Sequence, residues 1–278
     1  MTDDRVIDVV EDLERTLLDF MRKHHITHDE YRRARDLVIS SVKEGEESLL
    51  LDVFLEAEAT DIGNLGRPGS AEAIEGPFYR PGAPRLSRPY RMPQRPDEAG
   101  RVLVFHGRVT DTGNRPLAGA ELDMWQADAT GRYSNVFPGI PEWNLRGRLT
   151  TSEDGSFAVE TILPPPYEIP KHGPMGTLLG ALGRHSYRPA HLHVKVRHTG
   201  HRDLTSQLYF RGGPYLESDV ANAVRDGFIL DLVRHDPPPG ANSGGPHGPW
   251  VDAHHDFVLA PLAAAAADHA GGALPRPS

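Results

Sequence analysis

The sequence contains no cysteine. Disulfides, thiolate metal sites and a cysteine nucleophile are therefore excluded, and any metal must be held by histidine, carboxylate or phenolate. No apolar run approaches the roughly 20 residues needed to span a bilayer. The N-terminus, Met1-Thr2-Asp3-Asp4-Arg5, lacks the basic stretch and apolar core of a secretion signal, and a cytoplasmic location is expected. Positive charge is also short. A net charge of −9 argues against a nucleic-acid surface or an anionic membrane as partner. The 278 residues suffice for one large core, or for one core with a smaller helical domain.

The first third reads as helical. Val6, Val9, Val10, Leu13, Leu17, Phe20 and Met21 recur at helical spacing. Thr27-His28-Asp29-Glu30 is a capping-box pattern opening a second helix, with Tyr31, Ala34, Leu37, Val38 and Val42 on one stripe. A third helix is expected over residues 47–59, carrying Leu49, Leu50, Val53 and Phe54. Helices this few and short need a neighbouring core or a second subunit to pack on. After Gly63 the composition changes, and Gly66-Arg67-Pro68-Gly69 and residues 76–84 read as loops. From about Arg101 short apolar runs alternate with turn signals, among them Asp111-Thr112-Gly113-Asn114, Asp128-Ala129-Thr130-Gly131 and Glu153-Asp154-Gly155. That spacing predicts an antiparallel β-sandwich, so the fold class is mainly β with a helical N-terminal part. The expected division is a helical part over 1–95, a sandwich over 96–262 and a disordered tail over 263–278. A short helix is expected between Asp219 and Asp231, and Pro237-Pro238-Pro239-Gly240 reads as a loop.

Chemistry concentrates in Arg188-Pro189-Ala190-His191-Leu192-His193-Val194-Lys195-Val196. The proline biases the backbone towards an extended form, and the alternation that follows predicts a strand. Residues two apart then share a face, which sets His191 beside His193 and turns Leu192, Val194 and Val196 the other way. Such a pair can make two bonds to one metal ion, or can simply be a polar strand face that carries histidines. His24-His25, His198, His201 and His254-His255 lack this spacing and read as solvated or incidental, while His185 lies nearer the pair. Two tyrosines stand in loops: Tyr133 in Gly131-Arg132-Tyr133-Ser134, and Tyr167 after Pro164-Pro165-Pro166. Each is open to three readings: surface aromatic, core plug or presented phenol. As phenolates they would complete an N2O2 set suited to ferric iron, which also lowers a phenol's pKa enough to ionise it.

At these residues the sequence resembles the intradiol ring-cleavage dioxygenases, the catechol 1,2-dioxygenase family, and within it the branch acting on chlorinated catechols. The resemblance is carried by Ala73-Ile74-Glu75-Gly76-Pro77-Phe78-Tyr79, Gly131-Arg132-Tyr133-Ser134, Pro166-Tyr167-Glu168-Ile169-Pro170, Gly173-Pro174 with Gly176, Gly183 to His193, and Leu204-Thr205-Ser206-Gln207. It extends from the N-terminal helices to about Leu259. It implies an Fe(III) held by Tyr133, Tyr167, His191 and His193, with Tyr167 displaced when substrate binds. It implies that Arg188 stabilises negative charge on the substrate and that Gln207 lines the same cavity. Leu49, Asp52, Val53, Ile74, Gly76, Pro77, Phe78 and Ala221 match pocket positions of the chlorocatechol branch. The implied reaction is cleavage of catechol or a chloro- or methylcatechol by dioxygen to a cis,cis-muconate, with no nicotinamide, flavin or external reductant. The resemblance also implies a homodimer through the N-terminal helices, between which family members carry lipid. A hydroxyquinol 1,2-dioxygenase is the alternative within the class, and a non-catalytic zinc-binding β-sandwich the alternative outside it. A protocatechuate enzyme would be expected to have paired, dissimilar subunits.

Overall fold

The computed structural model describes residues 3–236 and 248–262; the tail after 262 and Pro237 to Gly240 lie outside the described residues. The chain divides into two compact units, Met1–Leu51 with Pro170–Arg184, and Asp52–Ile169 with His185–Ser278. This division differs from the sequence segments 1–95 and 96–262. Residues 65–95 hydrogen-bond into the sheets: Ser70 donates to the Val258 carbonyl, Ala73 to that of Thr205, and Tyr90 pairs with Val159.

The first unit is helical. Helix α1 (Asp3–Lys23) leaves Val6, Val10, Leu13, Leu17 and Phe20 exposed. Helix α2 (His28–Glu44) starts with the expected capping box: the Thr27 hydroxyl accepts from Glu30 N–H, and the Glu30 carboxylate accepts from Thr27 N–H at 2.8 Å. It ends at Gly45, whose φ of 71° is left-handed, where glycine carries no Cβ penalty. Helix α3 (Glu47–Leu51) follows. A helix over Pro174–Ala181 has no counterpart in the sequence reading. Proline sits in its first turn, and the Glu46 carboxylate accepts the Met175 N–H at 2.9 Å.

The second unit opens with a π-helical turn, Asp52–Glu56, and α4 (Ala57–Asn64). The single helix expected over 47–59 is thus three stretches, because the π turn breaks the 3.6-residue spacing on which the expectation rested. Two sheets follow. One has the order β10-β9-β8-β3-β4, built from β3 (Glu121–Trp125), β4 (Arg146–Thr150), β8 (His191–Arg197), β9 (Leu204–Phe210) and β10 (Ile229–Leu230). The other comprises β1 (Tyr90–Arg91), β2 (Val102–Asp111), β5 (Ser156–Ile162), β11 (Val233–His235), β12 (Trp250–His254) and β13 (Phe257–Leu259). A two-stranded ladder joins β6 (Tyr167–Glu168) to β7 (Tyr187–Arg188). Phe105, Val109, Phe157, Val251 and Phe257 of one sheet pack in a common core with Leu122, Met124, Leu192, Val194, Val196 and Leu208 of the other. Each such side chain contributes about 1.5–3 kcal/mol on burial.

The sandwich forms, with mixed rather than purely antiparallel pairing. β1 with β5, β10 with β9, and both β12 and β13 with β2 run parallel. β12 and β13 occupy successive halves of one β2 edge, and the chain crosses between them over Gly107. A Cβ there would lie 1.8 Å from the His255 carbonyl oxygen, so only glycine fits. The helix expected between Asp219 and Asp231 is replaced by irregular chain and a 3-10 turn at Asp226–Phe228. The Asp219 carboxylate accepts the N–H groups of Ala221 and Ala223, which gives the backbone an alternative to helical bonding. Among the described residues no helix is long and apolar enough to cross a membrane.

Candidate metal centre

Alternation on β8 does what the sequence predicted: Leu192, Val194 and Val196 enter the core, and His191 and His193 take the opposite face. Register then lines up three strands, with Trp125 opposite His193 and His193 opposite Gln207, while His191 faces Tyr209. Residues 74–86 cover this face. Gly76, at φ 70°, lets the backbone approach so closely that a Cβ would sit 3.6 Å from the His193 ring. Glu75 pairs with Lys195, and the Tyr79 hydroxyl donates to Asp123 at 2.9 Å.

The two imidazoles face each other through Nε2 at 3.0 Å. His191 Nδ1 lies 2.7 Å from the Pro189 carbonyl, which fixes Nδ1 as its protonated nitrogen and leaves Nε2 with a free lone pair. The Tyr133 oxygen is 3.4 Å from that same nitrogen. Tyr167 reaches the cluster by a different route. The two-residue ladder sets it opposite Arg188, and its ring centroid lies 5.4 Å from that of Tyr133 and 5.5 Å from that of His191. Gly131, at φ 79°, makes room for it, since a Cβ there would lie 2.9 Å from Tyr167 Cβ. The structure therefore brings Tyr133, Tyr167, His191 and His193 together from three separate chain segments.

All four groups are buried. Burial lowers His191 to about 3 and His193 well below its ordinary value, with Arg188 adding to both effects. Burial raises both phenols. Without a metal the cluster is thus two neutral imidazoles and two neutral phenols. A bound cation would release the phenol protons. The residues fit a hard, highly charged ion. The His191 and His193 Nε2 atoms converge with the Tyr133 oxygen, which would become anionic on coordination. Among the described residues no three His, Asp or Glu side chains are arranged to hold a metal.

Arg188 is buried and forked. Its Nε and Nη2 donate to the two Asp219 oxygens at 3.0 Å each, and Nη2 also donates to Gln207 Oε1 at 3.0 Å and to the Tyr209 hydroxyl at 2.9 Å. Burial opposes its charge, but Tyr209 and Asp219 hold its pKa well above the ordinary value. Gln207 donates to the Ile74 carbonyl at 2.8 Å. Of the predicted pocket residues, Ile74 and Ala221 share a buried cluster with Ala57 and Ala223, and Val53 is buried on the π turn. Phe78 packs on Tyr133 at 4.7 Å and Tyr167 at 6.3 Å between ring centroids. Asp52 is partly buried and raised by desolvation. The Pro77 carbonyl accepts from Arg80, and Leu49 lies on α3 in the other compact unit.

Sequence reasoning missed Asp219, Tyr209 and Trp125. Tyr209 stands two residues after Gln207 on one strand, so strand periodicity held the signal. Trp125 stacks on His193 at 4.6 Å and 10°, a placement only cross-strand register reveals. The remaining histidines lie elsewhere. His185 bonds to Ser218 at 2.9 Å, and His198 and His201 bond to each other at 3.1 Å. A surface groove of about 950 Å³, lined by Arg88, Tyr90, His106, Arg108 and Trp250, lies on the other sheet and shares no residue with the cluster.

Comparison with known proteins gives four findings. A family model described as Dioxygenase matches residues 74–260. A chlorocatechol 1,2-dioxygenase of Rhodococcus opacus is 41% identical over 239 residues, covering 85% of this chain and 93% of that protein. A catechol 1,2-dioxygenase of Acinetobacter baylyi is 37% identical over 214 residues, covering 76% and 68%. The crystal structure of 3-chlorocatechol 1,2-dioxygenase from Rhodococcus opacus superposes with a TM-score of 0.86 at 40% identity, covering 94% of this chain and all of that one.

Proposed function

The chain belongs to the intradiol ring-cleavage dioxygenases, and from that membership we propose that it opens catechol and chlorocatechols at an iron held by Tyr133, Tyr167, His191 and His193. It is an enzyme of dioxygen and a catechol-type ring. The observation that carries the ligand assignment is the meeting of His191 Nε2 with His193 Nε2 at 3.0 Å and with the Tyr133 oxygen at 3.4 Å.

Ferric iron bound there would supply Lewis acidity, drawing electron density from a catecholate so that its ring reacts with dioxygen. The protein's own groups do the rest. Tyr167 is the phenol suited to take a catechol proton. The positive charge of Arg188, opposite it on the ladder, favours its ionised form, and the two-residue ladder that carries it ties down little backbone. Arg188 cannot lose its charge and stands ready to balance anionic substrate oxygens. Gln207 links Arg188 to the Ile74 carbonyl, so its part is to hold the covering segment against the arginine. Phe78, Ile74, Val53 and Ala221 form the apolar wall for the ring and its substituent. A methylene-sized change in such a wall is worth about 1–3 kcal/mol of discrimination.

The test is to load the purified protein with iron and measure metal content, visible spectrum and rates with catechol, 4-chlorocatechol and hydroxyquinol. A burgundy protein that turns over the first two is expected. A preference for hydroxyquinol would move the substrate assignment, and a colourless protein that binds only zinc would end the reading altogether. We further propose a homodimer through α1 and α2, supported by the exposed Val6, Val10, Leu13 and Leu17 on α1 and Val38 and Val42 on α2. Sedimentation giving a monomer mass would overturn it.

A further inference from the structure

We infer that Arg95, Glu98 and Asp128 form a buried positioning device for the Tyr133 phenol, an inference that rests on Tyr133 being a metal ligand. The Glu98 and Asp128 side chains are each only 1% exposed. Arg95 joins them, with Nε 3.0 Å from Glu98 Oε2 and Nη2 3.1 Å from Asp128 Oδ2. Two carboxylates against one guanidinium leave a net negative charge. Five donors take it up: the N–H groups of Ala129, Thr130 and Arg132, the Thr130 hydroxyl and the Asn144 amide.

These donors belong to the two segments that bracket Tyr133. On its N-terminal side Asp128 closes the turn 128–132, accepting from Thr130 N–H at 2.8 Å and Arg132 N–H at 3.1 Å, while its own N–H donates to the Arg132 carbonyl at 2.8 Å. On the C-terminal side the Ser134 hydroxyl donates to the Asn144 carbonyl at 2.7 Å. Asn144 is itself bound to Glu98 at 2.9 Å and to the Arg95 N–H at 2.9 Å. Tyr133 thus stands between two anchors that share one buried cluster. The turn also contains Gly131, the residue in close contact with Tyr167 Cβ, so a shift of the turn would alter the spacing of the two phenols.

Buried ion clusters are a poor source of stability, because desolvation consumes most of what their attraction supplies. Fixing geometry is the function that this cluster's reach suits. A misplacement of about 1 Å at a reacting centre can cost on the order of a hundredfold in rate.

The experiment compares iron-loaded wild type with Glu98→Gln, Arg95→Lys and Asn144→Ala, using Leu149→Ala as a control that destabilises the core without touching the ion cluster's hydrogen bonds. The expected result is a shifted and weakened phenolate band in the first three, with kcat falling about tenfold or more and KM little changed. Leu149→Ala should lower the melting temperature and leave the band in place. If the charged variants fail to fold, Asn144→Ala alone decides, since it removes side-chain amide bonds and no charge. An unchanged band in the folded variants, whatever their stability, overturns the inference. A wild type with no phenolate band at all overturns the ligand assignment beneath it, so the two failures can be told apart.

Discussion

Replacing Asp219 by Asn tests the Arg188 network most directly. Arg188 gives Asp219 two charge-assisted hydrogen bonds, both at 3.0 Å, in a site where the two side chains are 5% and 2% exposed. Bonds of this kind contribute about 1.5–3 kcal/mol each, and breaking a buried pair from one side costs about 3–5 kcal/mol. Asparagine keeps one carbonyl acceptor but turns an amide N–H against the guanidinium, so a loss of about 3–4 kcal/mol is expected. For a chain of this size each kcal/mol moves the melting temperature by about 2–4 °C, giving a drop of roughly 6–16 °C. Unfolding of metal-free protein should be followed for wild type, Asp219→Asn, Arg188→Met and the double variant. A coupling energy of about 2–3 kcal/mol is expected from the cycle, and one below about 0.5 kcal/mol would refute the network as described. The pH dependence has a definite sign. Burial opposes the Asp219 charge, yet Arg188 holds its pKa below the ordinary value in the folded state. Its stabilisation is therefore complete above the unfolded pKa of about 3.9 and is lost as pH falls through the lower folded value. The gap between wild type and Asp219→Asn should be full at neutral pH and close in strong acid.

Tyr167→Phe should keep the fold but weaken both iron retention and the visible band; unchanged colour and turnover would show that the wrong phenol has been assigned. Acidifying metal-free protein should destabilise it from about pH 6.5 downward. His191 is depressed to about 3 and burial also holds His193 well below its ordinary value, so the unfolded chain takes up protons that the folded one refuses. The slope should approach about 1.4 kcal/mol per pH unit for each histidine, and a flat profile between pH 6 and 4 would exclude buried neutral imidazoles. Gly131→Ala places a Cβ at φ 79° and 2.9 Å from Tyr167 Cβ. A loss of about 1–2 kcal/mol from the backbone alone is expected, together with a perturbed iron spectrum, and a wild-type spectrum would show that the contact relaxes freely.

The four proposed ligands stood out in the sequence because each carries a local signature. A proline-led alternating strand gives the two histidines, and turn or polyproline surroundings set the two tyrosines apart from apolar stripes. Core strands such as Leu204–Phe210 were legible for the same reason. Trp250–His254 escaped notice because its pairing partner, β2, lies about 150 residues earlier in the chain, and parallel neighbours leave no hairpin turn to read. Asp219 was hidden by its own chemistry. An aspartate followed by Val, Ala, Asn and Ala looks like a helix start, and only the buried guanidinium beside it reveals why the segment stays irregular. The two units divide where the π turn begins, and no spacing rule announces such a turn.

The centre's four donors are drawn from Tyr133 to His193, and the contact of Tyr133 with His191 closes a loop of 58 residues. Closing loops of that length before any sheet exists is entropically unfavourable, so the donors meet only when β3, β8 and the covering segment are already in place. Unlike a small zinc module, whose metal is the nucleus of its fold, this chain has a large apolar core of its own and is expected to fold without a metal. The expected order of events in a cell is synthesis and folding first, charging with iron afterwards. A culture grown without iron should therefore accumulate an intact, refillable apoprotein, and adding the metal back to an extract should restore ring cleavage without new protein synthesis.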